Sequence, residues 1–303
     1  MSTALILAAP AKLNLYLHVT GRRPDGDHTI ESLVAFAGLA DRLELADAPA
    51  GTFEIAVAGP FATALAGGEA DNLVLRAARA LAATVGNAEG CRIRLTKEIP
   101  VAAGLGGGSA DAAAALVGLA RLWGLGSVPL AGIAAGLGAD VPVCLAARPA
   151  HVGGIGEALS PAPALPEAGL VLVNPGVALA TTGVFAAYDR LAGTGARRRR
   201  PAPPLREPPA DARDLCAALA ATGNDLTAAA RSLAPAVGEA LDALAGAPGA
   251  LMARMAGSGA TCFALFADGA GAARAAREIA AAAPGWWVWA GALAAGREGP
   301  GAG

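Results

Sequence analysis

Ile99-Pro100-Val101-Ala102-Ala103-Gly104-Leu105-Gly106-Gly107-Gly108-Ser109-Ala110-Asp111 runs without a break into an alanine-rich apolar segment ending at Trp123. Four of the five residues from Gly104 to Gly108 are glycine. Consecutive backbone N–H groups without Cβ atoms around them can face one ligand. Ser109 reads as an N-cap, Asp111 as a first-turn residue suited to the helix dipole, and Ala112 to Leu122 as strongly helical. Backbone donors at a helix N-terminus make an anion site, so the loop is suited to phosphate. It is not a Walker A loop, because no lysine follows the glycines, and Ser109 stands where the third glycine of a dinucleotide-binding turn belongs. Gly107 is the position where an added side chain is expected to obstruct the ligand.

Outward from this loop, the 303 residues are 54% hydrophobic and 16% charged, enough apolar chain for one large or two medium domains. A net charge of -2 leaves no basic footprint for nucleic acid. Met1 to Ala9 lacks the basic start of a secretory signal, and Val128 to Ala147 is too broken by glycine, proline and Asp140 to span a membrane. Cys91, Cys144, Cys216 and Cys262 have no paired spacing and read as reduced thiols, so a cytoplasmic protein is expected. Arg197 to Arg200, set among prolines, reads as a solvated loop.

Leu5 to Leu7 and Leu13 to Thr20 read as strands, the second with an apolar face and a polar face carrying Lys12, Asn14, Tyr16 and His18. A turn through Asp25-Gly26-Asp27-His28 precedes apolar segments at Thr29 to Ala37 and Leu43 to Leu45. Phe53 to Val57 and Cys91 to Leu95 read as further strands, and Asn72 to Val85 as a helix. Pro129 opens another helix that stops at Gly138. The prolines of Ser160 to Pro166 mark a lobe boundary, giving domains 1–160 and 161–303. Beyond it lie the strand Leu170 to Val173, a helix capped by Thr182, a helix Pro235 to Leu244, the turn Gly257-Ser258-Gly259-Ala260-Thr261, the strand Cys262 to Phe266, a helix Ala270 to Ala282, and the strand Trp286 to Trp289. Gly296 to Gly303 reads as a tail. The pattern is α+β or α/β.

Lys12 and Lys97 are the only lysines of the chain. Lys12 on a polar strand face either snorkels from the strand or aims an ammonium into a cleft. Asp140 either caps the segment beginning Val141-Pro142 or meets a cation from elsewhere, for which Lys12 is the candidate.

Pro10-Ala11-Lys12-Leu13-Asn14-Leu15, the glycine loop, Gly138-Ala139-Asp140-Val141-Pro142 and Gly257 to Thr261 resemble, in order, the motifs of the GHMP kinases. The likeness is strongest to the branch that phosphorylates the 2-hydroxyl of a cytidylated methylerythritol in non-mevalonate isoprenoid synthesis. Kinases acting on homoserine or mevalonate, or an inactive nucleotide-binding regulator, are the alternatives. The resemblance implies a two-lobed α+β fold, with an N-terminal nucleotide lobe, a C-terminal substrate lobe and a left-handed βαβ crossover where connections are usually right-handed. It implies ATP and Mg²⁺, with Pro100, Val101, Ala102, Ala103, Gly104, Leu105, Gly106, Gly107, Gly108, Ser109 and Ala110 around the phosphates. Asp140 would take the hydroxyl proton, Lys12 would counter charge on the transferred group, and Asn14, His28, Thr182 and Phe185 would contact substrate. Ser109 and Asp111 are possible metal partners, with no metal ligand assigned. The family's turn usually reads Asp-Gly-Tyr-His, so Asp27 replaces an aromatic that would stack on cytosine and leaves the aromatic role to Phe185.

Overall fold

The computed structural model describes residues 4–68, 71–86, 89–192 and 205–294. Two long strands, β1 (Leu5–Arg22) and β2 (His28–Ala48), form an antiparallel hairpin around the Asp25 to Asp27 turn. Each joins two segments that read as separate strands in sequence. Pro10 interrupts the apolar pattern of β1 without ending it, because the pairing slips between Pro10 and Lys12 and the missing N–H falls at the slip.

β3 (Phe53–Ala58) is followed by a 3₁₀ turn (Ala62–Leu65), α1 (Leu73–Val85) and β4 (Gly90–Thr96), which pairs in parallel with β3. Asn72 caps α1 by accepting from the Val74 amide at 2.9 Å. α2 (Gly107–Leu122), α3 (Leu130–Leu137) and α4 (Val141–Ala146) come next. α2 begins at Gly107 with Gly106 at its N-cap position, so Ser109 is a first-turn residue and not the cap. A small hairpin, β5 (Ala150–Gly153) and β6 (Ala158–Pro161), ends the first half.

The second half holds β7 (Gly169–Asn174), α5 (Thr181–Ala192), α6 (Ala212–Ala218), α7 (Thr227–Leu233), α8 (Ala236–Gly246), β8 (Ala250–Met255), β9 (Cys262–Phe266), α9 (Gly269–Ala282) and β10 (Trp287–Ala294). α5 starts at Thr181, so Thr182 lies within the helix and does not cap it. The arginine run and the C-terminal tail fall outside the described residues.

β2 joins the two halves. It pairs with β1 and β4, with β5 through Ser32 to Val34, and with β10 at Phe36 and Ala37, while β10 also pairs with β7. Among the described residues the strands form one sheet, and a buried apolar cluster containing Leu13, Leu33, Leu105, Leu170 and Phe263 spans both halves. β1 is buried on both faces, because its polar row of Lys12, Asn14, Tyr16 and His18 is covered as fully as its leucines. The four cysteines are free thiols; burial pushes Cys91 up to about 11 and Cys262 to about 12, which leaves both as inert apolar groups at neutral pH. Among the described residues no helix is long and apolar enough to cross a membrane.

Candidate active site

A cavity of about 1170 Å³ lies between the halves, walled by the glycine loop and by residues of β1, α5 and the Gly257 turn. Both lysines of the chain line it. The register slip at Pro10 frees the Lys12 amide from the ladder, and that amide donates to the Leu105 carbonyl at 2.8 Å. The bulge ties β1 to the loop and directs Lys12 at Asp140, with Nζ 3.1 Å from Asp140 Oδ2. Lys12 also donates to Asn14 Oδ1 at 3.0 Å, Asn14 Nδ2 donates to Ser32 Oγ at 2.8 Å, and that hydroxyl donates to the Tyr16 carbonyl at 2.5 Å. This chain leaves the ammonium little freedom to move.

Asp140 stands at the N-cap position of α4 but makes no capping hydrogen bond; its carboxylate faces Lys12 instead. That decides between the two sequence readings of Asp140. The Lys12 side chain is 6% exposed and that of Asp140 44%, so the cation lies beneath a carboxylate that opens on the cavity.

The glycine loop packs backbone to backbone on the turn after β8. Gly104 has φ +78°, and a Cβ there would meet the Ala256 carbonyl at 2.4 Å and that of Gly259 at 2.7 Å. The Thr261 amide donates to the Ala103 carbonyl at 3.2 Å, and Asn224 Nδ2 holds the carbonyls of Met255 and Gly257 at 2.8 and 2.7 Å. Gly106, at φ +63°, leaves room for the Lys12–Asp140 pair, since its Cβ would fall 3.1 Å from Lys12 Cε. Gly108 opens on free space, with nothing within 4 Å of a Cβ placed there. The N–H groups of the first turn of α2 have no helical partners, and this end of the helix lines the cavity. Leu105 and Ala110 belong to the core, while the other loop candidates from Pro100 to Ser109 line the cavity.

Gly107 lines the cavity too, and a side chain there would press on what lies beneath the loop. Its Cβ would lie 3.3 Å from Lys97 Nζ and 3.5 Å from Asp41 Oδ2, against a buried cluster that sequence reading did not assemble. Lys97 Nζ donates to Asp111 Oδ2 at 2.7 Å and to Asp41 Oδ2; Asp41 Oδ1 accepts the Glu98 and Ile99 amides at 2.6 and 2.9 Å. Asp41 therefore grips the loop's entry, Asp111 its exit, and Lys97 joins them. Burial pushes the Asp111 carboxyl above the usual carboxylate range, with Lys97 opposing and Asp41 reinforcing the rise. Burial pulls Lys97 the other way, but the two carboxylates outweigh it and hold the ammonium above the usual lysine range. The available signal was compositional: a second lysine in a chain whose other side-chain cations are arginines.

Gly108→Val is expected to raise the KM for ATP at least about tenfold, because a branched side chain fills the cradle, while the urea midpoint moves little. Unchanged ATP affinity measured by calorimetry would place the phosphates elsewhere.

Asn14, His28, Thr182 and Phe185 all line the same cavity. His28 and Phe185 stack on each other at 4.7 Å and 25°, so the face each ring presents to the other is covered. Thr181 Oγ1 and Ser258 Oγ meet at 2.9 Å, linking α5 to the Gly257 turn. Asp27 is exposed on the hairpin turn at the rim. At the other end, Ala64, Leu65 and Ala66 of the 3₁₀ region supply an apolar wall that no sequence motif announced.

A model of the GHMP kinases N terminal domain matches residues 72–148, and one of the GHMP kinases C terminal region matches residues 205–285. The 4-diphosphocytidyl-2-C-methyl-D-erythritol kinase of Paramagnetospirillum magneticum is 52% identical over 94% of this chain and 97% of its own length. That of Parvibaculum lavamentivorans is 49% identical over 95% and 98%. A crystal structure of 4-(cytidine 5'-diphospho)-2C-methyl-D-erythritol kinase superposes with a TM-score of 0.74 at 33% identity, covering 97% of this chain and all of that one. A homoserine kinase from Cytophaga hutchinsonii shares the fold alone, with a TM-score of 0.72 at 19% identity over 99% of this chain and 97% of its own. With both domains matched in order and half of all positions shared over nearly the full length, the chain belongs to the GHMP kinases and, within them, to the 4-diphosphocytidyl-2-C-methyl-D-erythritol kinase family.

Proposed function

We propose that this chain transfers the γ-phosphoryl group of ATP to the 2-hydroxyl of 4-diphosphocytidyl-2-C-methyl-D-erythritol, a step of non-mevalonate isoprenoid biosynthesis. The observation that carries the reading is the Lys12–Asp140 pair, 3.1 Å apart, opening on the cavity that the glycine loop walls. Residues 1–160 serve as the nucleotide lobe and 161–303 as the substrate lobe, with β1 and α5 bringing acceptor-side groups together across the cavity. Asp140 accepts the hydrogen bond of the acceptor hydroxyl and orients its oxygen toward the γ-phosphorus. Lys12 sits below and counters negative charge on the transferred group. Asn14 reaches the same hydroxyl region from the β1 row, and Thr182, Phe185 and His28 take the cytidyl end.

The residues present fit a magnesium ion. Asp111 Oδ1 is buried without a hydrogen-bond partner, the Ser109 hydroxyl has no protein partner among the described residues, and both side chains line the cavity beside the open space at Gly108. Magnesium is commonly held by one or two protein oxygens, with nucleotide phosphates and water completing the shell. Bound there, it would neutralise charge on the β- and γ-phosphates. Free buried thiols and an ATP substrate suit a cytoplasmic enzyme.

The test is a panel of acceptors with ATP. Phosphorylation of the cytidylated tetritol alone is the expected result. Transfer to homoserine or mevalonate with none to the tetritol would overturn the substrate reading, and ATP binding without transfer to any acceptor would favour a nucleotide-binding regulator.

A further inference from the structure

Across the cavity from the glycine loop, the β1–β2 hairpin meets α5 through one carboxylate. Asp189 Oδ1 lies 2.7 Å from His28 Nε2, and Asp189 Oδ2 lies 3.2 Å from Arg22 Nη1. Arg22 Nε also donates to the Gly26 carbonyl at 3.0 Å, so the same guanidinium braces the turn. The His28 ring is held flat against Phe185 and takes the edge of Tyr188 at 6.2 Å, and its side chain is only 10% exposed. Arg22, His28, Phe185 and Asp189 all line the cavity. His28 Nδ1 has no hydrogen-bond partner among the described residues.

A neutral imidazole has one N–H and one lone pair, and a carboxylate accepts only. The nitrogen facing Asp189 is therefore the protonated one, which leaves the lone pair on Nδ1. Cytosine carries an exocyclic amino donor at the position where uracil carries a carbonyl acceptor. A lone pair on Nδ1 bonds the first and opposes the second.

From this arrangement we infer that Asp189 is a positioning residue for base specificity: by taking the Nε2–H of His28, and being held by Arg22, it makes Nδ1 the acceptor that selects a cytidylated over a uridylated substrate. This rests on the cytidyl reading of the cavity given above. Asp27, the other acceptor at the rim, is the competing candidate for the amino group.

The chain has only three histidines, so ¹⁵N spectra of the apo protein, assigned with His28→Gln, report the His28 tautomer without any substrate. A protonated Nε2 and bare Nδ1 at pH 7.5 are expected; an Nδ1–H tautomer or a doubly protonated ring would overturn the inference. In Asp189→Asn the kcat/KM preference for the cytidylated over the uridylated substrate should fall about tenfold or more, with the KM for the cytidylated substrate rising, the KM for ATP unmoved and Asp189→Glu recovering part of the preference. A preference unchanged in Asp189→Asn, or lost in Asp27→Asn instead, would overturn it. No transfer by the wild type to the cytidylated substrate would sink the substrate reading itself, an outcome distinct from loss of discrimination alone.

Discussion

Asp140→Asn is expected to lower kcat by at least about 100-fold while ATP affinity stays within about twofold of the wild type. The substitution keeps the shape of the side chain, and because Asp140 contributes no capping bond to α4, the helix loses nothing. What changes is charge. The neutral amide accepts the acceptor hydroxyl's hydrogen bond weakly, and Lys12, 6% exposed, keeps only Asn14 as a strong partner. The glycine loop and the α2 N-terminus are untouched, so nucleotide binding has no reason to follow. Steady-state kinetics with the cytidylated tetritol and calorimetry with ATP separate the two quantities. A loss below about tenfold in kcat would remove Asp140 from the proton's path.

Lys97→Met is expected to destabilise the fold by about 3–5 kcal/mol, the usual penalty for leaving a buried charge without its partner. Two carboxylates share this single ammonium; the Asp41 and Asp111 side chains are 0% and 3% exposed. Asp41 keeps the Glu98 and Ile99 amides after the change, whereas Asp111 loses its only hydrogen-bond donor. The damage should accordingly concentrate at Asp111, and adding Asp111→Asn to Lys97→Met should recover part of the loss. Urea unfolding of the two single variants and the double variant measures the coupling. A loss under about 1 kcal/mol for Lys97→Met would mean that the cluster does not brace the loop.

Local order was legible wherever a short pattern carried its own physics. The glycine run followed by alanines announced a loop entering a helix, Asn72 announced the start of α1, and the apolar segments at Leu170 and Cys262 announced β7 and β9. Boundaries failed where the deciding partner was distant. Nothing near Pro10 says that a strand continues through it; the pairing with β2 carries it past the missing N–H by slipping register. Ser109 is a better cap than glycine by side chain, yet Gly106 holds the position, because only a residue without a Cβ can reach φ +63° with Lys12 Cε so near. Trp287–Ala294 extends beyond its aromatic start because its last residues add to β2.

The candidate site divides the same way. Sequence alone singled out Lys12, Asp140 and the glycine loop, since each stands in an ordered motif whose residue types suit one chemistry, and the family resemblance added His28 and Phe185. It left open whether Asp140 caps a helix or meets Lys12, and it had no means of bringing Lys97 to Asp41, 56 positions away, or His28 to Asp189, 161 positions away. Those meetings depend on β2 pairing with β4 and on α5 lying against the hairpin. A buried ion pair leaves little trace in the local pattern at either partner, because each residue taken singly looks like an ordinary surface charge until folding removes the water around it.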